Sequence, residues 1–350
     1  MIQAETSRIS IGTHTIGDGH PVFCIAEAGT TANGNMETAK ALIEVAAKAG
    51  FDAIKFQTID PEQLSDKSTV YRYQTMTGQA EENMYEMFKS LVFTPDQWHE
   101  LARKSDAEGI LFFSTIDYPA GVDMLLDCGV PAFKVGSWDV TFDQLVVRLA
   151  RTGKPILFDL GPAMPEEVSR FLRLCRENGN TNLLPLHDFH TQQPEEMHMR
   201  AIQFLKHGLG LPAGFSSPDR DIDLDLMAVA LGANALEKRI SLSRDSAGHH
   251  HVLCLEPHEC GPWVERIRRA EQCLGKAGIF PSQADLRDAM HYYRSLATCA
   301  PIAKGERYSW NNLDAKRPGT GIPMRHADLF IGREAKRDIP VDSLLTWEDF

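Results

Sequence analysis

No two cysteines in this 350-residue chain are spaced C-x-x-C. Cys24, Cys128, Cys175, Cys254, Cys260, Cys273 and Cys299 are scattered and odd in number. That pattern excludes a zinc ribbon or a thioredoxin-like motif and reads as reduced cytosolic thiols, most of them core fillers. No basic partner stands near Cys128 or Cys254 in sequence, so both read as packing residues rather than nucleophiles. Basic charge is also in deficit: 36 Lys and Arg face 48 Asp and Glu, for a net charge of -12. The acids are spread along the chain, which argues against a nucleic-acid or membrane-surface partner. No apolar run approaches the roughly 20 residues a bilayer span needs. The opening Met1-Ile2-Gln3-Ala4-Glu5-Thr6 has no basic segment followed by an apolar core. Neither a membrane span nor a signal peptide is expected, and a cytoplasmic location is.

What is present is a rhythm. Val22-Phe23-Cys24-Ile25-Ala26 is a short apolar run, followed by helical spacing from Met36 to Ala49 and a stop at Gly50. Further strand-like runs begin at Ala53, Ile110, Ala132, Pro155, Leu183, Ala213 and Ala235. Helical or loop segments separate them. Eight short buried strands joined by crossovers pair in parallel and predict a closed (β/α)8 TIM barrel, with a doubly wound open sheet as the alternative. Beyond this, Gly305, Gly319, Gly321, Gly332, Pro301, Pro318, Pro323 and Pro340 punctuate a stretch with little helical periodicity. The expected organisation is a barrel over 1–285, a linker over 286–293, and a small turn-rich domain over 294–350 whose thin core leans on a neighbour.

Chemistry in such a barrel gathers where strands end. Those ends carry Glu27, Lys55 with Gln57, Ser114 with Thr115, and Lys134 with Ser137. They continue with Asp159, His187 with Asp188 and His190, Ser216 with Ser217, and Lys238 with Arg239. So many polar residues at matched positions are not a packing pattern. Lysines and hydroxyls suit a phosphate and a carboxylate, and Glu27 suits a base or an orienting group. Because the chain is acidic overall, anionic substrates need a locally basic pocket, expected from Lys55, Lys134, Lys238, Arg239 and Arg317.

At these residues the chain resembles the sialic acid synthase family, which condenses phosphoenolpyruvate with an N-acetylated amino sugar to give nine-carbon sugar acids. The resemblance covers nearly the whole length. It is carried by Ile25-Ala26-Glu27-Ala28-Gly29 with Asn33-Gly34, Ala53-Ile54-Lys55-Phe56-Gln57, Phe113-Ser114-Thr115, Val130 to Ser137, and Ala228 through Lys238. Lys316-Arg317-Pro318-Gly319-Thr320-Gly321-Ile322 and Ile331 to Pro340 resemble the family's C-terminal antifreeze-like (SAF) domain. The resemblance implies Glu27 as catalytic acid and Lys55, Thr115, Lys134, Ser137 and Ser216 as phosphoenolpyruvate-binding. It implies Gln57 and Arg317 as sugar-binding, with Arg317 reaching the partner's site in a domain-swapped homodimer. Asp139 stands where the family has Glu. Gln74 and Asn83, in the loop from Tyr71, are candidates for polar contacts to the sugar.

The departures are as specific. The family's divalent metal (manganese or magnesium) is held by two histidines, and here those positions are Pro218 and Arg239. Ala32 replaces another histidine, and Asp159-Leu160-Gly161 replaces Ser-Thr-Gly, setting an acid where a hydroxyl would touch phosphate. Asp188 and His190 replace Asn and Tyr, and His250 stands near a sugar-contacting Asp. Three readings follow. One is a sugar-acid synthase in which Arg239 takes over the metal's electrostatic role as a catalytic group. Another is a barrel lyase or aldolase on another carboxylated substrate, its metal moved to His187, His190, His250 and Asp159. The third is a non-catalytic binding paralogue.

Overall fold

The computed structural model describes residues 8–218 and 220–349, which divide into two compact units at Gly275–Lys276. The first unit is a closed barrel of eight parallel strands: β1 (Phe23–Gly29), β2 (Ala53–Thr58), β3 (Leu111–Ile116), β4 (Phe133–Val135), β5 (Ile156–Asp159), β6 (Leu183–His187), β7 (Gly214–Ser217) and β8 (Ala235–Arg239). Each pairs with the next in chain order, and β8 returns to β1. Helices close the crossovers, and their ends are written locally. Asn35 caps the helix Met36–Ala49 through its side chain, and Gly50 ends it in the left-handed region. Thr94 and Gln97 form a capping box at the start of Pro95–Glu108.

Two hairpins are added. Ile9–Ile11 pairs with His14–Ile16, and its turn at Gly12 sits against Leu111 at the N-terminal end of β3. Val70–Thr75 pairs with Gly78–Asn83 in the insertion after β2. Between the barrel and its helices lies one apolar core, with Phe56, Phe113, Phe133, Phe158, Phe171 and Phe215 among its fully buried rings. No helix among the described residues is long and apolar enough to cross a membrane.

The second unit holds the helix Gln283–Tyr292 and an antiparallel pair, Ser295–Thr298 with Leu313–Lys316. Its core is small: Leu296, Ile302, Tyr308, Leu313, Ile322, Phe330, Ile339 and Leu345. The division falls ten residues before the expected 285. The helix belongs with the C-terminal fold: Gly319 N–H donates to Met290 O (2.9 Å) and Arg317 Nε to Tyr292 O (2.7 Å).

Candidate active site

Strand alternation decides which polar residues face the barrel axis. Lys55 on β2 points inward and is buried. Its ammonium contacts the Glu27 carboxylate, donates to Thr115 Oγ1 at 2.8 Å, and lies 3.6 Å from Glu237 Oε1. Lys134 on β4 is buried too, 2.9 Å from both Glu237 Oε2 and Asp159 Oδ1. Ser216 donates to Glu237 Oε1 (3.3 Å). Glu237 therefore bridges the two lysines from across the barrel. Burial pushes its pKa up, but Lys134 and Lys55 more than offset this, so it stays ionised. Burial pushes Asp159 up, against the pull of Lys134.

Glycine is required beside Glu27. The β1–β2 register shifts between Glu27 and Gly29, and Gly29 has φ 48°. A Cβ there would lie 2.1 Å from Glu27 Oε1, so the bulge makes room for the carboxylate. After β5 the turn at Gly161 does a similar job: a Cβ would meet Ser137 Cβ at 2.5 Å and Asp188 Oδ2 at 3.2 Å. The Gly161 amide donates to Asp188 Oδ1.

A second group of acids lies beside this network. Gln57 Nε2 donates to Asp117 Oδ2 (3.1 Å). Burial and then the neighbouring Asp139 raise Asp117 to about 7, and burial raises Asp139 to about 6. On the β8 side Arg239 donates to Pro218 O at 3.2 Å. Its charge is felt by Tyr71, His190, His249 and His250. His249 bonds Thr30 Oγ1 at 2.9 Å and takes edge contacts from Tyr71 and Tyr73. Burial, then His251 and Arg239, lower it to about 4. His250, in a left-handed conformation at φ 71°, packs on the His249 ring at 4.4 Å.

The structure thus gathers Glu27, Lys55, Thr115, Lys134, Asp159, Asp188 and Ser216 around Glu237, with Ser137 beside Gly161. It changes several other expectations. Lys238 is not in the pocket: it alternates outward from Glu237 and meets Asp225 Oδ2 at 2.7 Å, in a buried pair that Trp263 Nε1 completes. His187 also faces away, its ring among Phe189 and Phe215 and its Nε2 2.8 Å from Met197 O. His190 packs on Trp138.

A relocated metal centre at His187, His190, His250 and Asp159 is therefore not assembled. Among the described residues the only trio with ligand atoms within 4.8 Å of one another is Glu256, His258 and Glu259. Arg244 already binds both of those carboxylates. The positions that the resemblance assigns to the metal, Pro218 and Arg239, fare no better: neither a prolyl ring nor a guanidinium can ligate a metal, and the Arg239 guanidinium donates to the Pro218 backbone carbonyl. The residues present do not fit the metal.

Asn83 caps the helix Met84–Ser90 rather than facing the pocket, and Gln74 is exposed. The hairpin presents Tyr71 and Tyr73 to His249 instead. Arg317 lies in the second unit, exposed, its guanidinium over the Tyr292 ring. Sequence reasoning missed Glu237, Asp117, Tyr71 and Tyr73. Only the alternation Glu237, Lys238, Arg239 on β8 signalled the first of these.

An eight-stranded parallel barrel with a lysine–carboxylate network at its strand ends, followed by a small separate unit, defines the class. Residues 42–278 match the NeuB family and residues 293–350 match the SAF domain. The chain belongs to the NeuB family and is sialic-acid-synthase-like. It is 32% identical to the N,N'-diacetyllegionaminic acid synthase of Campylobacter jejuni over 92% of this chain and 98% of that protein. It is 30% identical to the pseudaminic acid synthase of the same organism over 94% and 96%. The solved N-acetylneuraminic acid synthetase of Leptospira borgpetersenii aligns with TM-score 0.72 at 26% identity, over 81% of this chain and 95% of that one.

Proposed function

We propose that this chain condenses phosphoenolpyruvate with an amino-sugar aldehyde to give a nonulosonic-type sugar acid, without the family's metal. The observation that carries the reading is the convergence of Lys55, Thr115, Lys134 and Ser216 from four strand ends beside Glu27. C3 of the enol attacks the aldehyde carbon. The aldehyde oxygen takes up negative charge beside Arg239 and then a proton. Water adds at C2, its proton passing by way of Glu27 to that alkoxide, and the C2–O bond to phosphate breaks as the new C2 hydroxyl gives up its proton to the departing phosphate, leaving the 2-oxo acid. Gln57, Asp139, Tyr71 and His250 would line the acceptor's side.

A domain-swapped homodimer completes this reading. Ile279, Phe280, Met290, Tyr292 and Tyr293 are exposed, and the helix Gln283–Tyr292 buries no residue. That is a large apolar face for one chain to leave in water. Arg317, exposed on the same unit, would serve the partner's sugar site. Phosphate release from phosphoenolpyruvate with a panel of amino-sugar aldehydes, in chelator, tests the activity. Release only on adding manganese would overturn the metal-free reading, and no release under any condition would overturn the synthase.

A further inference from the structure

We propose that Asp159 and Asp188 form a built-in anion at the donor end of the pocket, set against a phosphoryl group, and so determine which donor is held and how tightly. The proposal rests on the synthase reading only for placing the donor at this end. Three groups here compose an anion cradle: the Lys134 ammonium, the Gly161 amide N–H and the adjoining Ser137 hydroxyl. The protein's own carboxylates already occupy it. Glu237 accepts a hydrogen bond from Lys134, Asp159 is ion-paired to the same ammonium, and Asp188 Oδ1 accepts the Gly161 N–H.

These carboxylates exceed what the cations need. Glu27 balances Lys55 and Glu237 balances Lys134, so Asp159 shares Lys134 with Glu237, and Asp188 has only the more distant charges of Lys134 and Arg239, in a pocket that also holds Asp117 and Asp139. Surplus buried acids are costly to keep, and burial raises both groups, as that cost predicts. A residue needed merely to hold Lys134 in place would not have to be a second carboxylate. An incoming phosphate must take Lys134 from Asp159 and the amide from Asp188, and it meets their charge at close range. Two unit charges about 4 Å apart near a protein surface repel strongly enough to alter binding more than tenfold.

The test is calorimetric titration of inorganic phosphate, and separately of pyruvate, into the full chain and its Asp159→Asn, Asp159→Ser and Asp188→Asn variants above neutral pH. Phosphate is expected to bind about tenfold or more tightly to both Asp159 variants, with a smaller gain for Asp188→Asn, whose amide oxygen still accepts the Gly161 N–H and keeps it from the phosphate. Pyruvate, which lacks the phosphoryl end, is expected to change by less than about threefold. Asn is nearly isosteric with Asp, and thermal melts of both Asp159 variants show whether either is folded. Phosphate affinity unchanged or weakened in the Asp159 variants overturns the proposal. So does an equal gain for pyruvate, which would mean general loosening, or no phosphate binding by any of the four proteins. Failure of the synthase reading is separate, since it appears as absent turnover by the wild-type chain.

Discussion

At the lysine end of the pocket, the donor end in the proposed reaction, Lys134 lies between Asp159 and Glu237, and Lys55 between Glu27 and Glu237, all of them inside the barrel. At the Arg239 end, the acceptor end in that proposal, Arg239 among the described residues bonds a backbone carbonyl, that of Pro218, and faces neutral rings: Tyr71, His249 and His250. The donor end is a closed network of mutual neutralisation, in which each member holds the others. The acceptor end has one cation that, among the described residues, is in no salt bridge, although Glu237 and Asp188 feel its charge. Under the proposed reaction, Arg239 would supply positive charge where an aldehyde oxygen develops its negative charge, with no metal there.

Breaking the donor network should have the largest effect. Lys134→Met leaves Asp159 buried without its cation and Glu237 with Lys55 alone. It should cost about 3–5 kcal/mol in a urea unfolding curve and abolish phosphate release. Retained stability would show that the network is not what holds this end together. Next in size, Arg239→Ala should lower kcat about 100-fold while leaving the urea midpoint nearly unchanged, and chelator should not alter the wild-type rate. A wild-type rate that falls in chelator would erase the contrast between the two ends.

The acids flanking the network allow a pH test. Asp117 holds its proton to about 7 in the native chain, whereas an unfolded Asp releases it near pH 4. The native state binds the extra proton, so wild-type stability falls as pH rises through that window. Asp117→Asn has no such proton. Its stability relative to wild type should rise by on the order of 2 kcal/mol between pH 4 and 7 and level off above; a flat difference would mean that Asp117 ionises normally. The smallest effect belongs to His187, outside the pocket. His187→Ala should cost about 1 kcal/mol of packing and hydrogen bonding and leave metal content by elemental analysis unchanged. Loss of bound metal would restore the relocated centre.

Much of the fold was legible because buried parallel strands are written as short apolar runs, and all eight appear in the closed barrel. Site residues were legible where chemistry and strand end coincide: Glu27, Lys55, Thr115, Lys134, Asp159 and Ser216. Lys238 misled because a cation at a strand end looks functional until its partner is known, and that partner, Asp225, sits on the preceding helix, Ile222–Ala230. His187 misled in the same way, its ring being one residue out of phase with Asp188. Glu237 was overlooked because a glutamate within an apolar strand shows no role until two lysines from other strands reach it.

The sequence by itself determined the barrel, the separate C-terminal unit, the family, and that residues 218 and 239 are a proline and an arginine, neither able to hold a metal through its side chain. These follow from local periodicity and from which side chains own a lone pair. The tertiary structure alone decided which of the strand-end charges face one another. Pairing Glu237 with Lys55 and Lys134, or Asp188 with the Gly161 amide, depends on how closure of the sheet brings residues 27 to 182 positions apart within a few ångströms. No local pattern encodes that distance.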